Sequence, residues 1–300
     1  MTVPNIARSA EYWFNRSLSC SEAMFTVLNR GAGLTREAEE QAAHPLAGGI
    51  LRQGHACGML WGSALAAGVR APAQFPDPAL AGAAALFATG RVLEEFRAEV
   101  GAVNCREIIA GGLETMAGRV SYLTSGKPVA CRKLAVAFAP RAHAALDRAL
   151  QEFQPESLKQ APRTCTQEFW RRARGGAGER EGVMVAGLAG GLGLSGNACG
   201  VLAAGMWALG LDFYQRQPAP RDSFWKALLQ EVGVGTELLR RCAALRHAFR
   251  DRHGSDLCAA IMAGRFADAD DHSRFVAEGG CRVVIEGMVE ELREGTQMGY

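Results

Sequence analysis

The sequence predicts an all-α protein of two pseudo-symmetric helical-bundle repeats packed through glycine-rich helices. Three observations predict it. Helical periodicity dominates a chain rich in alanine, glycine and leucine, and alternating strand patterns are scarce. A cysteine-centred segment, "GGILRQGHACG" (48–58), returns as "GGLGLSGNACG" (190–200). The other cysteines also recur in one order along the two halves.

Taken in order, "ARSAEYWFNRSLSCSEAMFTVLNR" (7–30) sets Trp13, Leu18, Met24, Phe25 and Leu28 roughly on one face, and reads as a helix. Residues 78–100 and 129–153 also read as helices. From Gly182 to Leu211 no charged residue occurs over thirty positions, long enough to span a bilayer. "GGLGLSGN" would break such a span, and the matching stretch of the first half carries Arg52 and His55. A buried helical hairpin is therefore expected.

The repeat places Cys57 and Cys199 142 residues apart. "LSCSEAMF" answers "RTCTQEFW" (Cys20, Cys165), "FRAEVGAVNCREI" answers "FRDRHGSDLCAAI" (Cys105, Cys258), and "ACRKLAVAF" answers "GCRVVIEGM" (Cys131, Cys281). Their offsets of 145, 153 and 150 residues drift only as loop insertions would cause. Cys242 has no counterpart and reads as helix packing. The boundary falls near the polar, proline-bearing "EFQPESLKQAPR" (152–163), giving repeats 1–155 and 156–300.

Three hundred residues suffice for a sizeable core, and 48% hydrophobic with 21% charged residues describes a soluble globular chain. A formal net charge of +2 gives no electrostatic grip on nucleic acid. The start, "MTVPNIARSAEYWFNRS", lacks a basic region followed by an apolar one, so a cytoplasmic protein is expected. There, nine cysteines point to metal or redox chemistry more than to structural disulfides.

Gly54, Gly58 and Gly62, and Gly196, Gly200 and Ala204, are spaced to share a helix face that admits close packing. Cys57 and Cys199 are then expected in the first turn of their helices, with Asn197 capping the second. The helix dipole there should lower both thiol pKa values. No Cys-x-x-Cys occurs, which excludes the thioredoxin motif, zinc knuckles and haem attachment. His55 beside Cys57 could act as base or ligand, but the second half has Asn197 there. "GLGLSG" (191–196) formally matches a dinucleotide fingerprint, yet no second strand has room before Asp212.

"SCSEAM", the glycine-rich run into Cys57-Gly58, "FRAEVGAVNCREI" and "ACRKLAVAF" together resemble the redox-active C-GCAxxG-C-C family, as two tandem units. The family's Cys-Gly-Ala-x-x-Gly reads Cys57-Gly58-Met59-Leu60-Trp61-Gly62 here, and Cys199-Gly200-Val201-Leu202-Ala203-Ala204 in the second copy, without the final glycine. The resemblance implies a four-cysteine site in each unit: Cys20, Cys57, Cys105 and Cys131, then Cys165, Cys199, Cys258 and Cys281. Four thiolates suit an iron–sulfur cluster, 2Fe-2S or 4Fe-4S, in an electron-transfer protein. The alternatives are metal-free thiol–disulfide chemistry and a non-catalytic module with structural zinc. No catalytic residue is assigned, the eight cysteines being expected as metal ligands. The expected partner is a redox protein or small redox molecule, with homodimerisation left open and no membrane span.

Overall fold

The computed structural model describes residues 3–17, 19–175, 178–217 and 236–297. Among these residues there are fifteen α-helices, no strand, and two isolated antiparallel bridges. The all-α expectation holds. Among them too, no helix is long and apolar enough to cross a membrane.

Individual elements differ from the periodicity in instructive ways. The helix expected over 7–30 is two helices, Val3–Arg16 and Cys20–Gly31. Ser19 is extended (φ −134°), and its side chain accepts the N–H of Glu22. A capping serine starts a new helix there despite the continuous apolar pattern. Leu18, counted on the expected face, lies outside the described residues. The helix Pro78–Val100 matches its prediction, and Lys127–Glu152 nearly coincides with 129–153. The uncharged stretch 182–211 is not a plain hairpin. It leaves the helix Glu179–Met184, passes a 3-10 turn Ala186–Leu188 and a left-handed loop, and enters the helix Gly200–Arg216.

The chain gathers into two compact units, each drawing on both sequence halves. The first comprises residues up to Ser63, Val92–Ala145 and Trp207–Cys242; the second comprises Ala64–Arg91, Leu146–Met206 and the residues from Ala243. In the first unit Phe25, Trp61, Phe96 and Phe138 are fully buried, with Phe96 and Phe138 edge-to-face at 4.8 Å. Trp207 joins this unit by donating its indole N–H to the Glu39 carbonyl at 3.0 Å. In the second unit Gln167 donates to the Pro78 carbonyl at 2.9 Å, and Arg70 pairs with Asp147 at 2.8 Å.

Close packing at the glycines takes a different form from the expected one. Gly54 and Gly196 are not helical: both have positive φ, 77° and 73°. The helical face consists of Gly58 and Gly62, and it admits the Cys20 helix. A Cβ on Gly62 would stand 2.3 Å from the Ser21 carbonyl oxygen, and one on Gly58 would stand 2.4 Å from the Cys20 sulfur. Glycine there brings the first and second cysteines of the unit together.

Candidate redox site

Each unit builds its cysteine site on a loop of unusual hand. Gly48, Gly49, Ile50, Leu51 and Arg52 all have positive φ (67°, 75°, 59°, 48° and 64°), and Gly190 to Leu194 repeat this at 62°, 74°, 69°, 56° and 62°. For residues with a Cβ such a conformation costs roughly 1–2 kcal/mol each. The loop is held by its own backbone. Leu51 N–H donates to Pro45 at 2.8 Å and Gly54 N–H to Gly48 at 3.0 Å; Gly193 to Gly187 and Gly196 to Gly190, both at 3.0 Å, repeat the pattern. The turn aims a backbone N–H at sulfur: Gly48 donates to Cys20, and Gly190 to Cys165. The paired glycines in the sequence signalled the loop, but periodicity could not reveal its hand.

After the loop the chain pairs briefly with the segment of the third cysteine. Cys57 N–H donates to the Val103 carbonyl at 2.9 Å, and Cys105 N–H donates back to His55 at 2.7 Å. In the second unit Cys199 donates to Asp256 at 2.7 Å and Cys258 to Asn197 at 2.8 Å. These exchanges fix Cys57 beside Cys105 and Cys199 beside Cys258. Cys20, Cys105, Cys165 and Cys258 open their helices, while Cys57, Cys199 and Cys281 immediately precede theirs. Cys131 lies in the early turns of Lys127–Glu152.

In the first unit the four thiols act on one another. Burial, then the Cys20 and Cys105 sulfurs, push the Cys57 thiol well above its ordinary value. Burial raises Cys20 to about 11, although the N–H groups of Gly48, Cys20 and Ser21 oppose it. Burial and the neighbouring Cys20 and Cys131 raise Cys105. Cys131 is raised by burial, with the Tyr122 hydroxyl donating to its sulfur. The lowered pKa expected at Cys57 from the helix dipole is therefore reversed. Desolvation of a buried sulfur with like neighbours outweighs a few N–H dipoles.

The second unit is not a copy in its electrostatics. Cys165 is pulled well below the ordinary thiol value, first by the Cys281 thiol donating to its sulfur and then, against burial, by His272. Cys281 is correspondingly raised by that shared hydrogen bond and by burial. Within this pair the shared hydrogen bond favours the charged form of Cys165 and the neutral form of Cys281. His272 is fully buried, and neither ring nitrogen makes a hydrogen bond of regular geometry. Ser273 beside it ties the helix Ala269–Ala277 to the lead-in to Cys165, accepting the Arg163 N–H at 2.8 Å and donating to Ala161 at 3.2 Å. Burial raises Cys199 to about 12, and Asn197 Oδ1 accepts the Ala198 N–H at 2.8 Å.

Cys242 is fully buried in the helix Thr236–His253 and raised to about 12 by burial, with none of the other sulfurs acting on it. No disulfide joins any of the nine cysteines. Among the described residues no three His, Cys, Asp or Glu side chains form a group able to hold a single metal ion. Tyr122 and His272 are the site residues that sequence reasoning missed. Each lies outside the repeated motifs, and the two halves carry different residue types there.

These shifts carry a sign. A thiol raised in the fold stabilises it fully below its ordinary value of 9.0, and that contribution disappears as pH rises toward the folded value. Melts of the reduced, metal-free protein should therefore show stability falling from about pH 9 to about 11, as Cys20 and its neighbours resist ionisation. Flat stability across that window would contradict the burial of these thiols. Cys165 alone runs the other way: its contribution is present above the lowered value and lost below it.

A comparison with curated proteins finds no match, and neither does one with solved structures. A comparison with protein families matches one family twice, over residues 18–144 and 164–294, which contain both sets of four cysteines. A chain with two motif copies, each followed by its third and fourth cysteines, thus belongs to the family described as "Putative redox-active protein (C_GCAxxG_C_C)".

Proposed function

We propose that this protein is an electron carrier in which each four-cysteine site holds an iron–sulfur cluster, of 2Fe-2S or 4Fe-4S type. The observation that carries this reading is the mutual interaction of four buried or half-buried thiols beside backbone N–H donors, in each of two units. Four thiolates held together and largely removed from water repel one another, so they need cations among them. Soft sulfur donors select iron–sulfur clusters, zinc or copper(I). A mononuclear ion needs its ligands at one point, whereas a cluster spreads its ligating sulfurs over several metal atoms. Cys20, Cys57, Cys105 and Cys131 would hold the first cluster, and Cys165, Cys199, Cys258 and Cys281 the second. A bound cluster supplies one-electron storage, and N–H groups at sulfur raise its potential. Gly48, Ser21 and Met59 offer such donors in the first unit; Gly190, Val201 and Leu202 do so in the second.

One observation favours a second reading for the second unit. The Cys281 thiol is hydrogen-bonded to the Cys165 sulfur, the arrangement of a dithiol ready to close. Closure of the dithiol to a disulfide would release two electrons and two protons, the electrons passing to an oxidant. Anaerobic reconstitution with ferrous iron and sulfide separates the two readings. The cluster reading expects a brown protein absorbing above 400 nm, with iron and sulfide lost on removal of either cysteine set. A colourless protein that consumes two oxidising equivalents, trapped as a Cys165–Cys281 disulfide, would replace it with the dithiol reading.

A further inference from the structure

We infer that the helix Met116–Thr124 and the first turns of Lys127–Glu152 form a docking surface for an acidic redox partner protein, serving the first four-cysteine site. This rests on the redox reading above but not on the cluster type. The helix Met116–Thr124 buries no residue. Its large apolar side chains nevertheless fall at helical spacing on one face, with Met116 71%, Val120 53% and Leu123 69% exposed. Val129 follows at 46%. Between Glu114 and Asp147 the sequence holds Arg119, Lys127, Arg132, Lys133 and Arg141, and no acidic residue. Arg119 and Lys127 donate to backbone carbonyls and Arg132 to Asn15, so among the described residues none of these three, nor Lys133, is ion-paired. An apolar stripe with an uncompensated basic rim fits a partner whose own patch is apolar and ringed by carboxylates.

The same helix reaches the site. The Tyr122 hydroxyl bonds the Cys131 sulfur, so a partner on this face lies one side chain from a ligating position. In the second unit the exposed apolar surface beside the fourth cysteine is reduced to Val283, 69% exposed, with no stripe leading to it among the described residues. That unit's helix Ala269–Ala277 shows no exposed large apolar residue and is flanked by Asp268, Asp270, Asp271 and Glu278 against Arg274 and Arg282. The larger apolar stripe with the basic rim thus places the docking surface at the first unit. In the exchange, the partner's cofactor gives up one electron and the first site takes it, with no bond made and no atom transferred.

The probe is a reduced flavodoxin, a small acidic one-electron carrier, mixed anaerobically with the oxidised full chain, with sodium dithionite as a small reductant for comparison. Flavodoxin should be reoxidised, more slowly as salt rises. The double variant Leu123→Ser/Lys133→Glu should slow this about tenfold at low salt, leaving the dithionite rate unchanged. Glu278→Lys in the second unit should change neither rate. Equal flavodoxin rates for wild type and the double variant would overturn the inference. So would reduction by dithionite but not by flavodoxin, which would leave the redox reading standing. Reduction by neither would remove both. Sedimentation showing self-association that the double variant abolishes would make the occupant a second copy of this chain, also overturning the inference.

Discussion

Gly49→Ala is expected to destabilise the first unit by roughly 2–5 kcal/mol, the sum of a left-handed backbone penalty and an overpacking penalty. Gly49 has φ +75°, and a Cβ there would stand 2.3 Å from the His55 carbonyl oxygen and 2.4 Å from its nitrogen. Neither backbone atom can rotate aside, because His55 is bonded both to Gly49 and to Cys105. Gly191→Ala should do the same to the second unit, where the contacts are 2.5 Å and 2.7 Å to Asn197. Gly33→Ala provides the control, having φ +76° and nothing within 4 Å. It should lose only about 1–2 kcal/mol. Urea melts measure all three. If Gly49→Ala proves no worse than Gly33→Ala, the left-handed loop does not have the geometry described.

Cys57→Ser is expected to abolish loading of the first site, halving the iron and sulfide bound per chain, with little loss of stability. Serine is a poor soft-metal ligand, but Cys57 immediately precedes the helix Gly58–Arg70, a position where serine is a favoured cap. Cys242→Ser should behave in the opposite way. It keeps full loading yet loses about 1–3 kcal/mol, because it buries a hydroxyl at a fully buried helix position. Metal analysis and melting of both variants, prepared anaerobically, give four numbers to compare. Loss of loading in Cys242→Ser with retention in Cys57→Ser would show that the repeated cysteines had been assigned wrongly.

Much of this was legible in the chain because duplication writes the same constraint twice. The eight repeated cysteines, the helices Pro78–Val100 and Lys127–Glu152, and the absence of strands among the described residues follow from spacing and periodicity alone. What escaped is whatever depends on three-dimensional company. The Ser19 cap overrode a continuous apolar face, and the left-handed turns include Ile50, Leu51 and Leu192, residues that no propensity would place there. The thiol electrostatics were misjudged for a related reason. A helix terminus can be read from sequence, but the depth of burial of Cys57 and the neighbours that oppose its ionisation cannot. Tyr122 and His272 occupy one repeat position, each nine residues before its unit's fourth cysteine, but they differ in residue type, so a search for identical residues in the two halves could not single them out.

Because each compact unit is assembled from stretches on both sides of residues 152–163, the linker turns a problem of encounter into one of connectivity. A single-copy chain with this plan would have to borrow the missing stretches from another molecule, and its folded fraction would fall on dilution. Joined in tandem, the lender is always present at an effective concentration on the order of millimolar, whatever the amount of protein made. Cleaving the chain within 152–163 would restore the dependence: nicked protein would stay whole when concentrated and fail in both units together when dilute.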